Sequence, residues 1–428
     1  MAAHAENMNL LGKLDIPGGG QVVVRGCHAF LGHMHPPEGT SIVDTSDPAA
    51  PRVVAKIPPP SPYSHTHKVR VVGDLLISNV EMDRRHFFRK GAQIPAATEA
   101  LRAELGRDPS EAEIATRIGI APDDMADMRE GLARGYDEGG FRIFDISDPE
   151  NPRFLSHTKT GGVGVHRFDV DENYAYISTE MDGYKGNILV IYDISDPAAP
   201  TEVSRWWMPG QHIAGGEVPT WDGLKHRLHH ALRQGDRLYA ACWYAGGYVI
   251  DISDIRNPRT IGHFDYHPPM REPTHTFFKP PHKIGGHDIA LMVDEEHDGH
   301  VRGQPHGLIW VVDVADVANI KPLATFDVSE MDSPYSRSGG RFGAHQFQEH
   351  LENGTLVYAA WFSGGVRAID IADPTLPREV GCYVPEPMGE QPVPQCNDVD
   401  VDSRGLIHVL DRNRGYHILE HFQGTGNA

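Results

Sequence analysis

The chain reads as an all-β fold, a seven-bladed β-propeller, on three observations. A strand-and-turn motif recurs along its length, each recurrence leaves room upstream for two more strands, and each end of the chain holds part of one incomplete unit. The motif Ile-Val-Asp-Thr-Ser-Asp-Pro at residues 42–48 returns as Ile-Phe-Asp-Ile-Ser-Asp-Pro at 143–149 and Ile-Tyr-Asp-Ile-Ser-Asp-Pro at 191–197. Looser copies lie at 249–255, 311–317 and 368–374. Alternating apolar residues mark a half-buried strand, the Asp and Ser after it bond the backbone in an Asx turn, and Pro ends the ladder. A repeat of this chemistry every few tens of residues means stacked β-units, and four strands per unit is a propeller blade.

The units begin near Gln21, Ser64, Gly164, His226, Thr274, Phe342 and Gln395. The last stops after three strands, whereas residues 10–16 form an orphan strand that reads as an outer one. That strand is expected to complete the seventh blade, so that residues 8–428 form one propeller with covered edges. The repeat breaks most widely between Asp83 and Gly139, in blade two. Segments 97–106 and 110–119 there have helical spacing, Ser110 with Glu113 forms a capping-box signature, and another helix is expected after Ala121. Residues 84–139 are therefore expected to be a helical insertion, a lid or an oligomer contact.

Composition narrows the function classes. A net charge of −20 argues against nucleic-acid or anionic-membrane binding. The amino terminus lacks a basic segment followed by an apolar core, and no apolar run spans a bilayer, so a cytoplasmic location is expected. Cys27, Cys242, Cys382 and Cys396 form no C-x-x-C pair and read as free structural thiols. Dinucleotide, Walker and serine-hydrolase fingerprints are absent.

The Asp-Ile-Ser-Asp-Pro repeats resemble those of the LVIVD-repeat proteins over nearly the whole chain, which implies a β-propeller and is nearly silent on chemistry. The same turn with abundant histidine is more weakly similar to the selenium-binding protein and methanethiol oxidase family, whose members are copper-linked propellers, although the cysteine-rich segments of that family are missing here. In architecture alone the chain is similar to the carotenoid cleavage oxygenases, which hold iron by four histidines on inner strands. Residues 104–119 of the insertion resemble a helical segment of bacterial sigma factors. Nine acidic residues against five arginines between 96 and 134 are a poor DNA face.

The chemistry is expected where inner strands begin. Aligning the blades places His67, His166, His229, His275 and His345 at the start of the inner strand, with Asn397 and Gly20 in the other two blades. Convergent imidazoles suit iron, copper, zinc or manganese, and three or four with an open position make a catalytic site. The bland alternative, histidines bonding neighbouring blades across a polar channel, fits one histidine better than five. His166, His229, His275 and His345 are the expected ligands, with His67 a fifth candidate or supporting neighbour. His65, His230, His287 and His350 read as surface or supporting groups. Just after the second strands lie His33, His35, Glu81, Glu180, Trp243, Trp361 and Asp411, expected with His86 and Asn397 to wall the pocket. Glu81 and Glu180 are candidate acceptors for the histidines or general bases. Loops 208–221 and 329–340 and the polar stretch 296–306 are expected on the same face.

Three functions remain open: an oxidoreductase or oxygenase acting on a small organic molecule at a mononuclear metal, iron or copper first and manganese or zinc next; a metal-dependent lyase or hydrolase with Glu as base; or a scaffold propeller that docks a protein.

Overall fold

In the computed structural model, which describes residues 2–297 and 305–422, the repeated motif is a pair of Asx turns built identically six times. The first carboxylates, Asp44, Asp145, Asp193, Asp251, Asp313 and Asp370, each accept the backbone N–H two residues on at 2.9 Å. The second, Asp47, Asp148, Asp196, Asp254, Asp316 and Asp373, do the same at 3.0–3.1 Å. Each turn joins the third strand of a blade to its outer strand, as Thr40–Asp44 to Arg52–Ile57 and Gly140–Asp145 to Arg153–Lys159.

Seven antiparallel blades follow one another, and an apolar core fills every interface between neighbours. Val43 and Leu31 of blade one pack on Leu410, Tyr416 and Ile418 of blade seven, so the ring is closed. Blade seven consists of Cys396–Val401, Ile407–Asp411, Arg414–His421 and the amino-terminal strand Met8–Pro17, which pairs Leu10 with Leu419 and Leu14 with Tyr416. Gly12 is required there, because a Cβ would stand 2.1 Å from the Pro48 carbonyl in the turn of blade one. Equivalent outer-strand positions carry Ser156 and Ser204, whose hydroxyls donate at 2.6 Å to the Pro197 and Ile255 carbonyls of the next turn. The closing strand thus contacts its neighbour at the position the other blades use.

The propeller begins earlier than residue 8. Ala2–Glu6 forms a fifth strand on blade six, pairing with Arg378–Pro385. Backbone bonds to an exposed sheet edge need no apolar side chains, so the polar Ala-Ala-His-Ala-Glu gives no strand signal in sequence.

The insertion forms four α-helices: α1 (Arg85–Lys90), α2 (Ile94–Leu105), α3 (Glu111–Ile118) and α4 (Met125–Arg134). The capping box at Ser110 and Glu113 is present, and Ile94, Leu101, Ile114, Ile118 and Met128 make a separate small core. Phe87 and Phe88 pack against that core and not in the channel. Helix α1 was not legible in the spacing, since none of its residues is buried. No helix among the described residues is long and apolar enough to cross a membrane.

Deleting residues 1–17 removes the outer strand of blade seven and the buried side chains of Met8 and Ile16. At about 1.5–3 kcal/mol for each such side chain, the loss is several kcal/mol. The melting temperature of the whole body should fall; an unchanged melt would refute closure by this strand.

Candidate functional site

One backbone device sets the site. In every blade the ladder between the first two strands carries an irregularity near the axis, and the aligned residue is left without a cross-strand partner. His166 lies between the pairs Val165–Thr179 and Arg167–Ser178, His275 between Thr274–Asp294 and Thr276–Val293, and Asn397 between Cys396–Asp411 and Asp398–Leu410. His229, His345 and Gly20 occupy the same kind of gap. In blade two the inner strand breaks between Ser64–His65 and Val69–Val72, and His67 falls in the break. An extra residue re-aims side chains, so two consecutive residues per blade can reach the channel.

The upper tier is an arc of imidazoles. Ring centroids are 5.4 Å apart for His67 and His166, 4.9 Å for His166 and His229, 4.0 Å for His229 and His275, and 4.3 Å for His275 and His345. Gly20 completes the circle with Asn397, whose amide donates to the Gly20 carbonyl at 2.9 Å. A Cβ on Gly20 would meet the His67 ring at 2.8 Å, so this blade has no room for a side chain.

The lower tier plugs the channel. Its residues are Gln21, Lys68, Arg167, His230, Thr276, Gln346 and Asp398, all buried. Glu349 is the hub: its carboxylate accepts from Arg167 at 2.7 Å, His230 Nε2 at 2.8 Å and Gln346 at 2.9 Å, and pairs with Arg70.

Above the plug the histidines line a cavity of about 380 Å³. Burial keeps the imidazoles neutral: it depresses His67, His229, His275 and His345 well below the usual histidine value and His166 to about 3. Their tautomers follow from their partners. His229 Nδ1 donates to the His275 carbonyl at 2.6 Å, His345 Nδ1 to the Asn397 carbonyl, His275 Nδ1 to Thr276 Oγ1 at 2.9 Å and His166 Nδ1 to Glu81 at 3.1 Å. Thr276 can accept because its own proton goes to Gln346 Oε1 at 2.5 Å. Each of these four rings keeps a lone pair on Nε2, the state of a metal-ligating histidine oriented from behind.

His67 differs. Asn79 Oδ1 accepts the Lys68 N–H, so the nitrogen 3.2 Å from His67 Nδ1 is the amide donor, and the neutral ring carries its proton on Nε2. His65, read from sequence as peripheral, lies 4.2 Å from His67, its nitrogens engaged by the Met34 carbonyl at 2.9 Å and Glu81 at 3.0 Å.

Two groups of donors lie close enough to share an ion, with all atoms within 4.8 Å: His65, His67 and Glu81, and His275, Glu295 and His345. In the first group both nitrogens of His65 and Nδ1 of His67 are committed to hydrogen bonds, and His67 Nε2 carries the proton. In the second, neutral imidazoles face an ionised carboxylate: burial opposes the charge on Glu295, but His297 and Arg341 favour it and the carboxyl lies well below its usual range. That donor set fits a transition metal.

The walls differ in part from the sequence reading. His35, His86 and Trp243 line the cavity. His33 does not; it is buried within blade one between Ser41 and the Pro17 carbonyl. Trp361 is in the core between blades five and six, and Phe362 takes the channel position 4.8 Å from His345. Trp243 and Phe362 share a positive φ, at 53° and 38°, and equivalent bridges to the next blade. Asp411 accepts three backbone N–H groups at its turn, leaving Arg412 on the cavity. A strand slipped by one residue presents the opposite face, which accounts for both misplacements. Asn397 shapes the arc through its amide and carbonyl.

Glu81 is buried and bonded to Arg85 of α1 at 2.8 Å, but Glu180 is away from the cavity, paired with Arg89 and accepting the Val163 N–H at 3.1 Å. Helix α1 therefore clamps both acids, and Arg84, Arg85 and His86 line the mouth. Loops 208–221 and 329–340 contribute nothing to the cavity lining, and residues 298–304 of the polar stretch lie outside the described residues. Glu295 follows the second strand of blade five as Glu81 does that of blade two, and the same alignment could have found it. Glu349 had no such signal.

A family model for the LVIVD repeat matches residues 165–206. The chain is similar in fold to proposed 6-phosphogluconolactonases from Bacteroides fragilis (12% identity, TM-score 0.53, covering 89% of this chain and 87% of that one) and Bacteroides uniformis (11%, 0.51, 89% and 88%). It is similar too to the WD40 propeller domain of Doa1 (9%, 0.50, 98% and 99%). No curated protein matches its sequence.

Two expectations follow. Replacing residues 84–139 with a Gly-Ser turn should leave a folded propeller with an opened cavity, read as faster quenching of Trp243 fluorescence by acrylamide; an unchanged rate would deny the insertion a covering role. In chelator-treated protein, stability should fall as pH drops from about 6.5 toward 5. Unfolded histidines bind protons there, whereas His166 and His230, at about 3, do not. Each contributes a slope of up to ~1.4 kcal/mol per pH unit, and His67, His229, His275 and His345 add theirs, outnumbering Asp294 and Asp398, which burial raises to about 7 and which act in the opposite direction. His306, raised to about 9 by Glu296, changes its contribution above that window. A flat urea midpoint between pH 6.5 and 5 would contradict this.

With the matched repeat, six copies of its turn and the propeller shape of its structural neighbours, the chain is a β-propeller that carries the LVIVD repeat at residues 165–206.

Proposed function

We propose that the protein is a metal-dependent oxidoreductase or oxygenase acting on a small organic molecule in the histidine-lined cavity. The observation that carries the reading is the common tautomer of His166, His229, His275 and His345, each fixed through Nδ1 with Nε2 free. His229, His275, His345 and Glu295 would hold the ion, with His166 beside them. Nitrogen and carboxylate donors suit iron or copper, and manganese and zinc take the same set. When bound, the ion supplies redox or Lewis-acid chemistry.

The protein's own contribution is positioning and exclusion of water. The Glu349 tier closes the lower end of the channel, Trp243 walls one side, and α1 stands at the mouth. The lyase or hydrolase reading needs a free base of intermediate pKa. Glu81 does not meet that need: burial opposes its charge, but Arg85, His166 and His65 together outweigh burial and hold it well below the usual range. Glu295 is committed to Arg341 at 2.8 Å and to His297 at 3.3 Å. The lactonase names among structural neighbours bear on fold alone at this identity.

Untagged protein grown with supplemented metals should carry one transition-metal ion per chain. His275→Ala and His345→Ala should each lower metal affinity by ~10–100-fold or more. His67→Ala should retain the ion, because its Nε2 bears the proton. Absence of stoichiometric metal from the parent protein would refute the proposal, and equal losses in all three variants would refute the ligand assignment.

A further inference from the structure

The cavity holds two cations that its own acids leave without a carboxylate. Arg85 is paired with Glu81 and Arg341 with Glu295, each at 2.8 Å, and Arg84 with Asp127. Lys68 and Arg412 remain. The Lys68 side chain is buried with 3% exposure, and its ammonium donates at 2.9 Å to the Gly20 carbonyl. Arg412 donates at 3.3 Å to Asn397 Oδ1. Among the described residues neither forms an ion pair. Asp398 in the same tier and Glu295 act on Lys68 at longer range, as Glu295 and Asp411 do on Arg412, and burial pushes the Asp398 carboxyl up to about 7. Asp83 at the rim is engaged by His35 at 2.8 Å.

A buried charge without a partner is costly, and proteins keep one where a ligand supplies the counter-charge. Burial, then Arg167, depresses Lys68 well below the usual lysine value, and burial, then Arg341, brings Arg412 to about 10. Both groups act electrostatically on His345, so they flank the same end of the arc, next to Glu295. A metal ion there would deepen the excess of positive charge.

We infer that Lys68 and Arg412 form the recognition point for an anionic substrate, a small organic carboxylate, held beside His345 with its organic body against Trp243. A guanidinium fork matches two coplanar oxygens, while the ammonium adds a point charge. The Trp243 ring, 6.2 Å from His229, gives the apolar wall that an inorganic anion would not need. The inference rests on the reading of this cavity as the substrate site, and its test is separable from that of the metal.

Benzoate, its neutral isostere benzamide and inorganic phosphate are titrated calorimetrically into the full-length protein, with metal content measured on the same samples. Benzoate should bind at least tenfold more tightly than benzamide or phosphate. Arg412→Gln and Lys68→Met should each weaken benzoate by tenfold or more while metal content stays at the parental level. Arg412, at the cavity surface, serves as the principal variant should loss of Lys68 impair folding, which circular dichroism reports. Equal affinity for benzoate and benzamide, parental benzoate affinity in folded Arg412→Gln, or a preference for phosphate would each overturn the inference. Metal-free parent protein that still binds benzoate through these residues would support it while refuting the metal assignment.

Discussion

Everything at the centre of this protein depends on an interruption of the first ladder in each blade, which leaves the aligned residue unpaired. In a regular strand successive side chains point to opposite faces, so an inner strand would offer the channel one residue in two. The irregularity near the axis breaks that alternation, and adjacent residues such as His166 and Arg167 or His229 and His230 both turn inward. Two tiers result from one distortion. The upper supplies neutral imidazoles and the lower a hydrogen-bonded floor, and neither can change without the other because they share backbone.

The floor explains how the imidazoles are held. Thr276 accepts from His275 only because Gln346 takes the Thr276 proton, and Gln346 is fixed in turn by donating to Glu349. The orientation of a ligand candidate in blade five is thus set by an amide in blade six and a carboxylate beyond its inner strand. Networks of this kind are costly when partly satisfied and rigid when complete. Here the network is nearly complete, although Arg167 retains Nε and one Nη without partners.

The repeat made the fold legible. Six Asp-x-x-Asp turns that bond the backbone at the same two distances leave the same mark in sequence each time, and the five aligned histidines carry over because the unpaired position falls at a constant place in the blade. Legibility failed where one residue of register decides the face, as with Trp361 for Phe362 and Asp411 for Arg412. It failed too where partners come from outside the repeat. Arg85 on a helix without buried residues reaches Glu81, and Glu349 is placed by the turn after an inner strand with no counterpart elsewhere in the ring.

Closure of the floor leaves the cavity open at the end where Arg84, Arg85 and His86 of the insertion line it. Arg70, Glu349 and Asp398 occupy the axis on the far side, with a separate shallow pocket beneath them, so the histidine arc opens toward the face that carries α1. The same helix that narrows this mouth supplies Arg85, which helps to hold Glu81 ionised against its burial, and Glu81 in turn orients His166. Arg85 therefore joins the mouth of the cavity to the arc through Glu81. Movement of α1 away from the mouth would withdraw one of the charges that offset burial of Glu81 and favour its protonation, leaving His65 and His166 alone to hold the carboxylate.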